Sequence, residues 1–285
     1  MTRIGAVFSP YHNPPEAFKE AVLAAEAAGV PELWVWEDCF RESAFVPIAA
    51  ALAWTTNLKI GLGIAPMPLR NVALTAMEIA TVERMFPGRF YPGLGHGVQS
   101  WMAQAGAKVA SPLTLMREYI PALRAILAGQ EVSTSGRYVN LDKVRLDWPI
   151  ENAPPVYGAG VGPKSLQLSG EMADGTILVA GMTPDEVAGH IKTIKSGSPQ
   201  PESHTIISYI TVAFGQGAKD RVAEEHKDQS IENDRGAWGT VAEVAETVKK
   251  FAEAGADAVI LTPAVGEPDL IGFLGSVGEI NRLLN

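Results

Sequence analysis

The chain has 285 residues, 47% hydrophobic and 19% charged, which suits a large packed core and excludes a disordered chain. A net charge of −9 with no Lys/Arg cluster argues against nucleic acid or anionic membrane as partners, and no apolar run reaches the roughly 18–20 residues of a membrane span. The single cysteine, Cys39, excludes an internal disulfide, and Met1-Thr2-Arg3 leads straight into a strand, so the expectation is a cytoplasmic protein with a small-molecule substrate.

Residues 3–9 read as strand one, ended by Pro10 and followed by the polar loop Tyr11-His12-Asn13-Pro14-Pro15. An alanine-rich helix spans 16–28, with Gly29 placed to end it. Strand two is 32–36; the loop 37–42 leads to a helix over 45–54. Residues 58–63 and 89–94 are strands three and four, joined by a helix that Asn71 caps and Pro87-Gly88 stops, making a βαβ unit.

Short and long helices follow at 98–105 and 111–128, then a β-hairpin insertion within 129–148 around Ser135-Gly136. Strand five, 156–159, runs into Gly160-Val161-Gly162-Pro163-Lys164 and a helix over 165–173. Strand six is 176–180, and Thr183-Pro184 starts a helix to Lys195. The β-branched run 205–214 is strand seven, with a helix at 219–227 and a polar, mobile loop at 230–237. An amphipathic helix over 240–254, strand eight at 257–263 and a closing helix over 270–284 complete the chain.

Three segments, AEAAGVPELWVW, SGEMADGTILVA and AEAGADAVILTP, repeat one form: helix end, turn, acid, buried strand. Eight such strands alternating with helices point to an α/β fold, a single (β/α)8 TIM barrel with an insertion after strand four. With no linker-like break, residues 1–285 form one domain.

In a barrel the active face is built by the loops that follow the strands. That rule selects His12, Glu37, Asp38, the segment 66–70, His96, Gln99, Ser100, Gly160 to Lys164 and Thr262, and leaves His190, His204 and His226 as bystanders. Too few His and carboxylates fall there for a barrel metal site, and no Gly-x-Ser-x-Gly elbow occurs. Cys39 is either a nucleophile beside His12 or His96, or a small buried side chain. The glycine-rich segment before the helix at 165 suits a phosphate, through free N–H groups, the helix dipole and Lys164, or an ordinary βα turn. Lacking a third glycine and a following acid, it is not the dinucleotide fingerprint. Asp38, beside Trp34 and Trp36, is placed either to exchange protons with a raised pKa or to cap the next helix. Trp36 and Trp101 fit a wall for a flat ring or the core, and Gly63 and Gly95 a close ligand approach or a bulge.

The runs TTNLKIGLGIAPMPLRNVALTAMEIATVERMFPGRFYPGLGHG and PPVYGAGVGPKSLQLSGEMADGTI, within a likeness from Ile4 to strand eight, resemble the bacterial luciferase-like flavin and deazaflavin oxidoreductases. The resemblance is nearest the branch that uses coenzyme F420 and includes methylenetetrahydromethanopterin reductase. It implies a (β/α)8 barrel with a non-prolyl cis peptide at Gly63–Ile64 behind the cofactor ring. Gly63, Ile64, Ala65, Gly95, Gly97 and Cys39 would then lie along the cofactor. Gly158, Ala159, Gly160, Val161, Gly162, Pro163 and Lys164 would hold its phosphate and side chain.

Asp38 matches an acid near the reactive edge of the ring, with His96 or His12 sharing the proton transfer. The chain departs from many relatives at Asp38-Cys39, where they carry Asp-His. The loop after strand four also lacks the glutamate of sugar-phosphate dehydrogenases, which disfavours that activity. The implied function is hydride transfer between F420 and an organic substrate. The alternatives are an FMN-dependent monooxygenase and a non-catalytic flavin- or ligand-binding protein. Relatives commonly form homodimers through helices near strands two and three, and the apolar helix at 45–54 fits that role.

Overall fold

A computed structural model describes residues 2–228, 231–232 and 235–285. Its first half contains β1 (Arg3–Phe8), α1 (Phe18–Ala28), β2 (Glu32–Val35), α2 (Phe45–Trp54), β3 (Lys59–Leu62), β4 (Ala65–Pro66) and α3 (Val72–Met85). Next come β5 (Phe90–Tyr91), β6 (Gly93–Gly95), α4 (Gln99–Gln104), α5 (Pro112–Leu127), β7 (Val132–Ser135) and β8 (Asn140–Val144). Then follow β9 (Tyr157–Ala159), α6 (Pro163–Met172), β10 (Gly175–Leu178), α7 (Pro184–Gly197) and β11 (Thr205–Phe214). The chain closes with α8 (Ala218–Asp228), β12 (Ala237–Gly239), α9 (Val241–Glu253), β13 (Ala258–Pro263) and α10 (Leu270–Leu284). No described helix is long and apolar enough to cross a membrane.

The chain forms two compact units. The first comprises the chain up to Ile60, Ile177–Lys192 and Thr205–Asn285; the second comprises Gly61–Thr176 and Thr193–His204. In the first unit, β11, β13, β1 and β2 lie side by side in parallel, with Ile4 opposite Val259 and Val7 opposite Trp34. Ile4, Ala6, Val7 and Phe8 are all buried, as expected of a parallel strand covered on both faces. Gly5 is required because a Cβ there would stand 2.8 Å from Cγ of buried Glu32 and 2.7 Å from Ile260.

In the second unit, β6 pairs with β4 on one side and β9 on the other, Ala65 facing Leu94 and Gly93 facing Tyr157. The hairpin β7–β8 is antiparallel, and Glu118 of α5 clasps its turn by accepting from the amides of Arg137, Tyr138 and Val139 at 2.9, 2.8 and 3.0 Å.

Three sequence expectations are corrected. Strand four is not continuous over 89–94: Pro92 has no N–H to give a ladder and splits it into β5 and β6, while its carbonyl accepts from the Tyr157 amide at 2.9 Å. The first helix begins at Phe18 rather than Glu16, because Pro15–Ala17 forms a 3-10 turn. Of the polar loop expected at 230–237, Ser230, Asn233 and Asp234 lie outside the described residues, but Ala237 opens β12. That strand pairs in parallel with the end of β11, Val212 facing Ala237, a partnership no three-residue run can advertise.

Candidate functional site

In the first unit, β2 carries Glu32 and Trp34 at alternate positions, the period of one strand face, and Trp36 and Asp38 follow in the loop beyond it. Glu32 is buried, accepts from Trp34 Nε1 at 2.9 Å and faces Arg3 at 3.6 Å; burial raises its pKa. Tyr209 of β11 packs against Trp34 and Trp36, with ring centroids 5.9 and 6.3 Å apart. Its hydroxyl and the Trp36 indole N–H are buried without a hydrogen-bond partner among the described residues. Burial, more than any neighbour, holds the Tyr209 phenol well above its usual pKa.

Beyond the strand end, the Tyr11 hydroxyl donates to Asp38 Oδ2 at 2.8 Å, and the Arg41 guanidinium lies 4.1 Å from the Tyr11 ring centroid. Burial raises the Asp38 pKa, with the Tyr11 bond and the Arg41 charge acting against it. The start of α2 is served by a different acid: buried Glu37 accepts from the Ala44 amide at 3.0 Å, which leaves Asp38 clear of a capping role. The Cys39 thiol is pushed up by burial and by Glu37 and Asp38, so it stays protonated at neutral pH and lacks the thiolate that a nucleophile needs. The Cys39–Phe40 peptide is cis, a feature the sequence did not announce. His12 is exposed, and it is its neighbour Tyr11 that reaches the acid.

In the second unit the Gly63–Ile64 peptide is cis, as the resemblance implies. A Cβ on Gly95 would stand 3.2 Å from the Ile64 side chain, and one on Gly97 2.9 Å from Pro66, where φ is +67°. His96 Nε2 lies 3.2 Å from Ser165 Oγ in the first turn of α6, and its Nδ1 is buried without a partner among the described residues. Burial lowers the His96 pKa, which keeps the ring neutral at pH 7.

Gly158 and Gly160 have no room for side chains: a Cβ would stand 2.4 Å from Ser169 Oγ in the first case and 2.4 Å from Ser165 Cβ in the second. Ser169 continues a buried chain through Thr176 at 2.7 Å to His204 Nε2 at 2.8 Å, so His204 is a structural member of this unit. Gly162 caps α6 without a side-chain bond and with open space above it; Val161, Pro163 and Lys164 are exposed.

The structure thus joins Asp38 to Tyr11 in one unit and His96 to the segment around Gly160 in the other. Sequence reasoning missed Tyr11, Ser165 and Tyr209. Tyr11 was within reach of the same loop rule that selected His12, had phenols been admitted alongside imidazoles.

The model of the family described as luciferase-like monooxygenase matches residues 2–227. The chain belongs to that family. Among the relatives of this luciferase-like protein, 5,10-methylenetetrahydromethanopterin reductase from Methanolobus tindarius is 30% identical over 199 residues, 68% of this chain and 60% of that protein. F420-dependent hydroxymycolic acid dehydrogenase from Mycobacterium tuberculosis (strain ATCC 25618 / H37Rv) is 27% identical over 190 residues, 62% of this chain and 52% of that protein. The match therefore spans only half to three-fifths of these relatives. A solved structure of an F420-dependent secondary alcohol dehydrogenase, in complex with an F420-acetone adduct, superposes with TM-score 0.87 at 21% identity, covering 99% of each chain. The likeness establishes the TIM-barrel-like luciferase fold, as expected from the alternation of strands and helices.

Proposed function

We propose that this luciferase-like protein is an oxidoreductase that moves a hydride between coenzyme F420, an 8-hydroxy-5-deazaflavin, and a small organic substrate. The observation that carries this reading is the cradle at Gly158, Gly160 and Gly162. Side chains at the first two would collide with Ser169 and Ser165, and the third leaves the α6 N-terminus uncapped. Such a helix start favours a phosphate through its dipole and outward N–H groups.

In this reading Gly158, Ala159, Gly160, Val161, Gly162, Pro163 and Lys164 hold the phosphate and side chain. Gly63, Ile64, Ala65, Gly95 and Gly97 line the ring. Bound deazaflavin supplies the hydride chemistry at its C5, while the protein binds, orients and excludes water. Asp38 holds or releases the proton, and His96, tied to Ser165, serves the phosphate end. The names of the relatives above support F420 over other cofactors. Homodimerisation belongs to the same proposal; Val46 on α2 and Met77 on α3 are exposed apolar side chains suited to it.

The family's monooxygenase description keeps FMN as the second reading, with oxygen as co-substrate. Fluorescence titration of the purified protein with F420 and, separately, with FMN decides between them. F420 binding at micromolar or lower concentration with weak FMN binding is expected. The reverse order would move the protein to the monooxygenases, and binding of neither would end the proposal.

A further inference from the structure

We propose that Tyr11 is the positioning residue for Asp38, binding one carboxylate oxygen and leaving the other, Oδ1, as the atom that takes up and releases a proton. This deepens the oxidoreductase reading and rests on it for the use to which the proton is put. Three contacts hold Tyr11 in place. The loop after β1 is drawn in on Ser9, which the Tyr11 amide and the Asn13 side chain both engage, at 3.4 and 3.0 Å. The ring edge meets Trp36 with centroids 6.3 Å apart at 73°. Arg41 covers the ring face at 4.1 Å, returned there by a turn in which its amide donates to the Asp38 carbonyl at 2.8 Å.

The hydroxyl so fixed is spent on Oδ2 at 2.8 Å. Among the described residues Oδ1 has no hydrogen-bond partner, so it is the oxygen available to a ligand. Tyr11 is itself a poor proton source, because burial and the neighbouring Asp38 push its phenol upward. It therefore keeps its proton while Asp38 exchanges one. The groups whose charge or polarity bears on Asp38 are Tyr11 from the β1 loop, Arg41 and Cys39 from its own loop, and Tyr209 from β11. Arg41 and the Tyr11 bond favour the carboxylate, and burial opposes them. Removing the Tyr11 bond therefore takes away one of the two influences that hold the Asp38 pKa down.

The test is a carbon-detected NMR titration of cofactor-free protein labelled at the aspartate carboxyls, with Asp38→Asn identifying the resonance. Tyr11→Phe keeps the ring under Arg41 and removes only the hydroxyl. It should raise the Asp38 midpoint by about one pH unit, the worth of a hydrogen bond to a charged group. Arg41→Ala should raise it too. In F420-loaded enzyme, the limb of the pH–kcat profile governed by Asp38 should shift upward by the same amount in Tyr11→Phe. An Asp38 midpoint unmoved by Tyr11→Phe overturns the proposal whatever the cofactor. A moved midpoint in a protein that binds no F420 upholds the pair and removes only the cofactor reading.

Discussion

His96 Nε2 stands 3.2 Å from Ser165 Oγ, tying the loop after β6 to the first turn of α6. A neutral imidazole in that position steadies the helix start without bringing charge to it. Ser165→Ala should therefore raise the F420 dissociation constant about tenfold, or ~1.4 kcal/mol, and leave binding of the phosphate-free deazaflavin unchanged. Paired fluorescence titrations of the two ligands check this. Equal losses for both would place His96 and Ser165 at the ring instead.

Asp38 links the site to stability. Its folded pKa lies above the usual 3.8 because of burial, so its contribution is fully present below that value and is lost as pH rises through the folded pKa. Above that folded pKa, ionising Asp38 costs stability because burial disfavours the charged form. Asp38→Asn should raise Tm at pH 7 by about 2 °C, the equivalent of roughly 1 kcal/mol in a chain of this size. The gain should vanish in scans at or below the unfolded carboxyl value.

Gly158 carries a packing prediction. A methyl there would meet Ser169 Oγ at 2.4 Å and disturb the buried run from Ser169 through Thr176 to His204. Gly158→Ala should cost about 2 kcal/mol in urea unfolding, through overpacking and broken buried hydrogen bonds. An unaltered midpoint would mean that Ser169 can turn aside freely.

Glu118 holds the β7–β8 hairpin by three amide bonds, which also lower its own pKa. Tyr138 and Val139 of that turn line a groove of about 350 Å³ with Arg70, Asn71 and Tyr119. Glu118→Ala should leave the global Tm nearly unchanged. It should speed hydrogen exchange at the Arg137, Tyr138 and Val139 amides about tenfold, local opening being cheaper than unfolding. Mass-spectrometric exchange over that peptide reports it.

Much of the architecture was legible in the chain because its signals are local. The apolar run at 258–263, the Thr240–Glu243 capping box of α9 and the Asn71 cap of α3 act within a few residues, so strands and helices declared themselves in order. Pro92 was visible too, but its consequence depends on which neighbours a strand must serve. The three residues of β12 hold no pattern of their own and become a strand only against β11.

The candidate site divides along the same line. Sequence alone determined which residues follow the strands, among them Asp38, His96 and the glycines at 160 and 162. Tertiary structure decided their partners. Tyr11 and Asp38 are 27 positions apart, and they meet because β1 and β2 pair with Phe8 opposite Val35, bringing the two following loops together. His96 and Ser165 are 69 apart, and they meet because β6 and β9 pair with Leu94 opposite Gly158. A hydrogen bond needs its atoms within about 3 Å, and only strand register sets distances that fine between residues so far apart in sequence.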